Sequence, residues 1–175
     1  MRAESDKERI ESFMSALGQR VRGAGRIYFT GGATAILYQW RISTIDIDLK
    51  ADPEPEGLFE AISAIKDELS VNVELASPDD FIPPLPGWRE RSIFIAHHGL
   101  LDFFHYDPYA QALSKLQRRH ERDLTDVRAM LKDGLIELKE LKKMFALIEP
   151  QLIRYPAVDP PSFRRSVQQF CDANQ

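Results

Sequence analysis

Apolar residues recur at helical spacing at Ile10, Phe13, Met14, Leu17 and Val21 before Gly23 and Gly25 break the pattern, which predicts an amphipathic helix over residues 5–22. Ile27-Tyr28-Phe29 is a short run of strand formers, Gly31-Gly32 a turn, and Ala33 to Trp40 a stretch of helix formers. Alternation from Ile45 to Lys50 predicts a strand whose Ile45, Ile47 and Leu49 enter the core while Asp46 and Asp48 leave by the other face. The order is strand, glycine turn, helix, strand. Pro53 and Pro55 interrupt the chain. Leu58, Ile62, Ile65 and Leu69 then mark a second core-facing helix, and Val71 to Leu75 alternates as a half-buried strand does.

Ser77 to Asp80 and the proline-rich Pro83 to Trp88 read as turn and loop, suited to a flexible lip of a site. Ser92 to Ala96 and Leu100 to Tyr106 read as a hairpin around His97-His98-Gly99. From Pro108 the pattern is helical. Tyr109, Leu113 and Leu116, then Leu124, Val127 and Leu131, then Leu138, Leu141, Phe145 and Ile148 form successive stripes, with a final helix over 162–171. These elements predict an α/β (α+β) chain: a short mixed sheet flanked by helices in residues 1–107, with a helical region, 108–175, packed on it as one compact unit.

The apolar share of 43% and the charged share of 29% are ordinary for a globular protein and exclude a disordered or fibrous design. A net charge of −4 excludes a wholly basic, nucleic-acid-coating surface. Local basic clusters remain at Arg118, Arg119 and Arg122, at Lys139, Lys142 and Lys143, and at Arg164 and Arg165. They suit either solvated helix faces or nucleic-acid contacts. No apolar run reaches bilayer length and Met1 to Glu8 is too polar for a secretory signal, so a cytoplasmic protein without a membrane role is expected. Cys171 has no second thiol, and His97, His98, His105 and His120 lack the spacing of a zinc motif. Trp40, Trp88 and Tyr109 suit base stacking or plain anchoring.

Two carboxylates on one strand face repel unless a cation sits between them, and a hard divalent ion that keeps positions open for substrate phosphates meets that need. The alternative is a pair of exposed residues on an edge strand, although Asp is depleted in strands. Gly31 and Gly32, between a strand and a helix, let backbone N–H groups approach a phosphate. No Lys-Ser or Lys-Thr follows, so this is not a P-loop, and it is not a GxGxxG turn.

Gly31-Gly32 followed by Asp46-Ile47-Asp48-Leu49 resembles the signature of the polymerase-β-like nucleotidyltransferase superfamily. Gly31-Gly32-Ala33-Thr34-Ala35, Arg41, Thr44 and Asp46-Ile47-Asp48, with the later Arg122-Asp123-Leu124-Thr125-Asp126-Val127, is similar to the bacterial abortive-infection (type IV toxin-like) nucleotidyltransferases, which also carry a lysine matched by Lys115. The resemblance implies a nucleotidyltransferase-like fold and transfer of a nucleoside monophosphate from an NTP, such as ATP, to an acceptor hydroxyl on tRNA or protein. The cofactor implied is Mg²⁺ or Mn²⁺. Metal would be held by Asp46, Asp48 and a third carboxylate, for which Glu74 is the choice and Asp102 the rival. Thr30, Gly31, Gly32, Arg41 and Thr44 would meet the nucleotide, with Lys115 adding a cation. Asp123 would orient Lys115, or else belong to a surface lattice of Arg119 with Asp123 and Arg122 with Asp126. The other reading is a catalytically weak nucleotide- or partner-binding module of a toxin–antitoxin type system, with an antitoxin as partner.

Overall fold

The computed structural model describes residues 3–175, which pack as two compact units. The first takes the chain up to Ser77 together with Ser92–Tyr106; the second takes Pro78–Arg91 together with Asp107–Gln175.

The first unit holds α1 (Lys7–Arg20), β1 (Gly25–Thr30), α2 (Gly32–Leu37), β2 (Asp46–Ala51), α3 (Leu58–Glu68), β3 (Asn72–Leu75), β4 (Ile93–His98) and β5 (Leu101–His105). The strands form one mixed sheet in the order β3-β2-β1-β5-β4, in which β1 runs antiparallel to β2 and parallel to β5, β2 parallel to β3, and β4 antiparallel to β5. Ile27, Phe29, Ile47, Leu49, Leu101 and Phe103 leave this sheet by one face and form a core with Ile10, Phe13 and Leu17 of α1 and Ile62 and Ile65 of α3. Alternation then sends Tyr28, Thr30, Asp46 and Asp48 to the opposite face.

The elements depart from the periodicity at four places. Helix α1 begins after Asp6, whose carboxylate accepts the Arg9 N–H at 2.9 Å. Ser5 instead exchanges two backbone hydrogen bonds with Thr44, of 2.7 and 2.9 Å. Strand β2 begins at Asp46, one residue later than the alternation predicts, so Ile45 lies outside the ladder and is 63% exposed where a core position was expected. Helix α2 stops at Leu37 rather than reaching Trp40: Gln39 takes φ +64°, and Tyr38 and Trp40 stack with ring centroids 4.9 Å apart. In the hairpin, His97 and His98 belong to β4, and the turn is made by Gly99 at φ +60° with Leu100.

The second unit holds α4 (Trp88–Arg91), α5 (Pro108–Arg118), α6 (Glu121–Lys132), α7 (Leu138–Ile148) and α8 (Pro160–Ala173), with 3-10 turns at Pro78–Asp80 and Glu149–Arg154. Where the proline-rich segment suggests a flexible lip of a site, Ile82, Leu85 and Trp88 are buried and belong to this unit's packing. Asp107 caps α5 by accepting the Tyr109 N–H at 3.0 Å, and it also receives Arg91 Nη2 at 2.7 Å. Burial pushes the Asp107 carboxyl above its ordinary value, against the pull of Arg91. Ser166 of α8 donates to the Leu116 carbonyl at 2.6 Å, and Phe145 meets Phe163 edge-on at 4.8 Å. Among the described residues no helix is long and apolar enough to cross a membrane.

Candidate active site

The site grows from the junction of β1, α2 and β2. Gly31 sits between β1 and α2 at φ 62° and ψ −130°, a conformation essentially closed to other residues. A Cβ there would stand 3.0 Å from Oδ2 of Asp48. At Gly32 a Cβ would come within 2.1 Å of Thr44 Oγ1, so the missing side chain is what lets Thr44 reach this turn. Thr44 in turn donates its hydroxyl to the Asp46 carbonyl at 3.1 Å. It thereby joins the glycine turn to the start of the acidic strand.

Register aligns the rest. Thr30 pairs with Asp48 across β1 and β2, and Asp48 pairs with Glu74 across β2 and β3. Directly paired residues share a sheet face, so Thr30, Asp48 and Glu74 form one row across three strands. The adjacent row holds Asp46 and Asn72, and Asn72 donates its amide N–H to Asp46 Oδ1. Asn72 is absent from the sequence-derived set, yet it was detectable: in Val71 to Leu75 it shares the outward phase with Glu74. Asp46 and Asp48 are half-buried and Glu74 is exposed.

The rival carboxylate lies elsewhere. Asp102 pairs with Arg26, at the opposite end of β1 from Thr30, about 13 Å away along the strand at ~3.3 Å per residue. It is also engaged by His97 Nδ1 at 2.6 Å. Glu74 is thus the third carboxylate that register places beside Asp48. Among the described residues, however, no three His, Cys, Asp or Glu side chains gather as a metal cage. The donor set is nonetheless the kind magnesium takes, since that ion is commonly bound through one or two carboxylates and completed by waters and substrate phosphates. Asp46 and Asp48 fit that role as a pair. Arg41 lines a separate shallow cavity with Asp6, Glu8 and Ile42.

Lys115 and Asp123 belong to the helical unit and meet there. Lys115 is 3% exposed; its ammonium lies 2.7 Å from Asp126 Oδ2 and 3.3 Å from Asp123 Oδ1, and Arg118 Nη2 adds a contact to Asp123 at 3.4 Å. Two cations therefore face two buried carboxylates. Of the two arrangements expected for Asp123, the contact with Lys115 is the one present, not the surface lattice of i,i+4 pairs: Asp123 and Asp126 point inward with Val127 and Met130, and Arg119 bonds Gln169. The periodicity of α6 predicts an apolar stripe, whereas the buried side of that helix is half acidic. Oδ2 of Asp123 is buried without a hydrogen-bond partner. Cys171 is buried, and desolvation raises its thiol pKa, as suits an inert packing residue.

A family model described as "Nucleotidyltransferase of unknown function (DUF6036)" matches residues 8–165. No curated protein and no solved structure matches the chain.

Proposed function

The chain belongs to the DUF6036 family of nucleotidyltransferases, and from that premise we propose that it moves a nucleoside monophosphate from an NTP to an acceptor hydroxyl at the Thr30–Asp48–Glu74 face, with Mg²⁺ or Mn²⁺ as cofactor. The observation that carries this reading is the placement of Asp48, paired with Thr30 and lying against the Cβ-less Gly31. A glycine turn and a carboxylate are thereby held side by side.

In the reaction the acceptor oxygen attacks the α-phosphorus, the bond to the β-phosphate breaks, pyrophosphate leaves, and the acceptor proton passes to a base. Asp46 and Asp48 would hold the metal ion, which when bound supplies positive charge to the triphosphate oxygens and lowers the pKa of the acceptor hydroxyl. Glu74, exposed at the end of the row, takes the proton. Gly31 and Gly32 admit the triphosphate close to the backbone at the start of α2, and the Thr30 hydroxyl adds a contact. Thr44 and Asn72 act by positioning, one by spacing the glycine turn from β2 and the other by fixing the Asp46 carboxylate. Catalysis of this kind rests on orientation and electrostatics rather than on covalent participation by the protein.

The similarity of Arg122 to Val127, with Lys115, to the abortive-infection enzymes supports a hydroxyl of tRNA or protein as acceptor. The experiment is to incubate the protein with each α-phosphate-labelled NTP, Mg²⁺, and total tRNA or a protein lysate. Label should move to a macromolecule with the wild type and fail to do so with Asp46→Ala of unchanged thermal stability. Transfer that survives Asp46→Ala would overturn the assignment.

A further inference from the structure

A cavity of about 530 Å³ lies between α1, the end of α2 and the β4–β5 edge, walled by Met14, Leu37, Tyr38, Ile93 and Ile95 with His105 in its lining. This is the size of an ordinary small-molecule site. It is separate from the carboxylate row. His105 pairs with Phe29, which faces the core, whereas the next residue of β1, Thr30, pairs with Asp48; the two sites therefore open on opposite faces of the sheet.

One hydrogen-bonding arrangement open to His105 makes it an acceptor toward the cavity. The Thr34 hydroxyl donates to the Phe29 carbonyl at 3.3 Å. Thr34 Oγ1 also lies 3.0 Å from His105 Nδ1, and when its single proton goes to that carbonyl it is the acceptor toward the ring. In that arrangement Nδ1 carries the ring hydrogen and Nε2 a bare lone pair. Burial lowers the His105 pKa to about 4, which keeps the ring neutral near pH 7. Tyr38 packs on the imidazole with centroids 4.6 Å apart and holds its plane. At the rim, Lys7 and Glu11 approach each other to 3.9 Å and cancel in charge, which favours a neutral occupant. Strand β4 is an edge, but its register shifts between Phe94 and Ala96, and a bulge of this kind disfavours an added peptide strand.

We propose that this cavity binds a small neutral ring compound that places its apolar body against Met14, Leu37 and Ile95 and donates one N–H or O–H to His105 Nε2. Phenols and N–H heterocycles have that chemistry; hydrocarbons of the same shape lack the donor. This inference stands independently of the nucleotidyl-transfer reading.

The test uses the full chain, labelled with ¹⁵N, and two probes of nearly equal shape, phenol and toluene. Long-range ¹H–¹⁵N spectra should show His105 as the Nδ1–H tautomer, with an Nε2 resonance that moves on adding phenol and stays still with toluene. Phenol should bind about tenfold more tightly, the scale of one net hydrogen bond. That preference should vanish in His105→Phe. If the variant does not fold, the wild-type Nε2 response decides alone. An Nε2–H tautomer, equal affinities, or absence of binding by both probes would overturn the proposal.

Discussion

Asp48 Oδ2 lies where a Cβ on Gly31 would come within 3.0 Å of it, and Gly31 itself holds φ 62°. Gly31→Ala is therefore strained twice, by backbone conformation and by the displaced carboxylate. Loss of about 1–3 kcal/mol of stability is expected, together with weaker NTP binding. Denaturant unfolding and NTP titration on the same preparation check both.

Gly32 and Thr44 form a second such pair, since a Cβ at Gly32 meets Thr44 Oγ1 at 2.1 Å and Thr44 Cβ at 2.7 Å. Gly32→Ala alone should destabilise by about 1–3 kcal/mol through overpacking. In the background of Thr44→Gly the same substitution should have a much smaller effect. A double-mutant cycle by thermal unfolding measures the coupling, and strictly additive effects would contradict the contact.

Lys115, between Asp123 and Asp126, is buried with them. Lys115→Met leaves two buried carboxylates without their ammonium and should reduce stability by about 3–5 kcal/mol. Adding Asp126→Leu should restore part of that loss, because the remaining Asp123 keeps Arg118. Urea denaturation of the two variants distinguishes this from a lysine that contributes nothing to folding.

Much of the fold was legible because it rests on local periodicity. The stripes Ile10 to Leu17 and Leu58 to Ile65 and the alternation Ile47 to Leu49 reflect one-sided burial, and each reappears as the core. The glycine turn and the acidic strand were legible for a related reason: glycine pairs and in-phase aspartates oppose ordinary strand preferences. Register was not legible. The outward phase of Glu74 was enough to prefer it to Asp102, but its pairing with Asp48, while Asp102 stands opposite Arg26, follows only from β2 lying beside β3. The inward acidic side of α6 was hidden for another reason, since its burial depends on Lys115 arriving from α5, a partner that no periodicity announces. The packing of Ile82, Leu85 and Trp88 was obscured by the prolines around them.

His105 also makes a prediction in pH. Its pKa falls from 6.5 to about 4 on folding, so the unfolded chain binds the proton more readily between these values. Its contribution is fully present above pH 6.5 and is lost as pH falls toward 4, to a total of about 3 kcal/mol at ~1.36 kcal/mol per unit. Asp107, with its raised pKa, acts in the opposite sense, losing stability as pH rises through the acid range. The difference between wild type and His105→Gln isolates the histidine. That difference, followed by urea denaturation from pH 7.5 to 4.5, should shrink or reverse as the pH is lowered.

The most direct test of the central claim is titration calorimetry of each NTP into the protein, with Mg²⁺ and with chelator, on the wild type and on Asp48→Asn. It requires no acceptor. The expected result is binding of at least one NTP that needs both Mg²⁺ and the Asp48 carboxylate, with Asp48→Asn folded and unresponsive. Equal binding by Asp48→Asn, or binding unchanged by chelator, would contradict a metal-assisted nucleotide site on the Thr30–Asp48–Glu74 face.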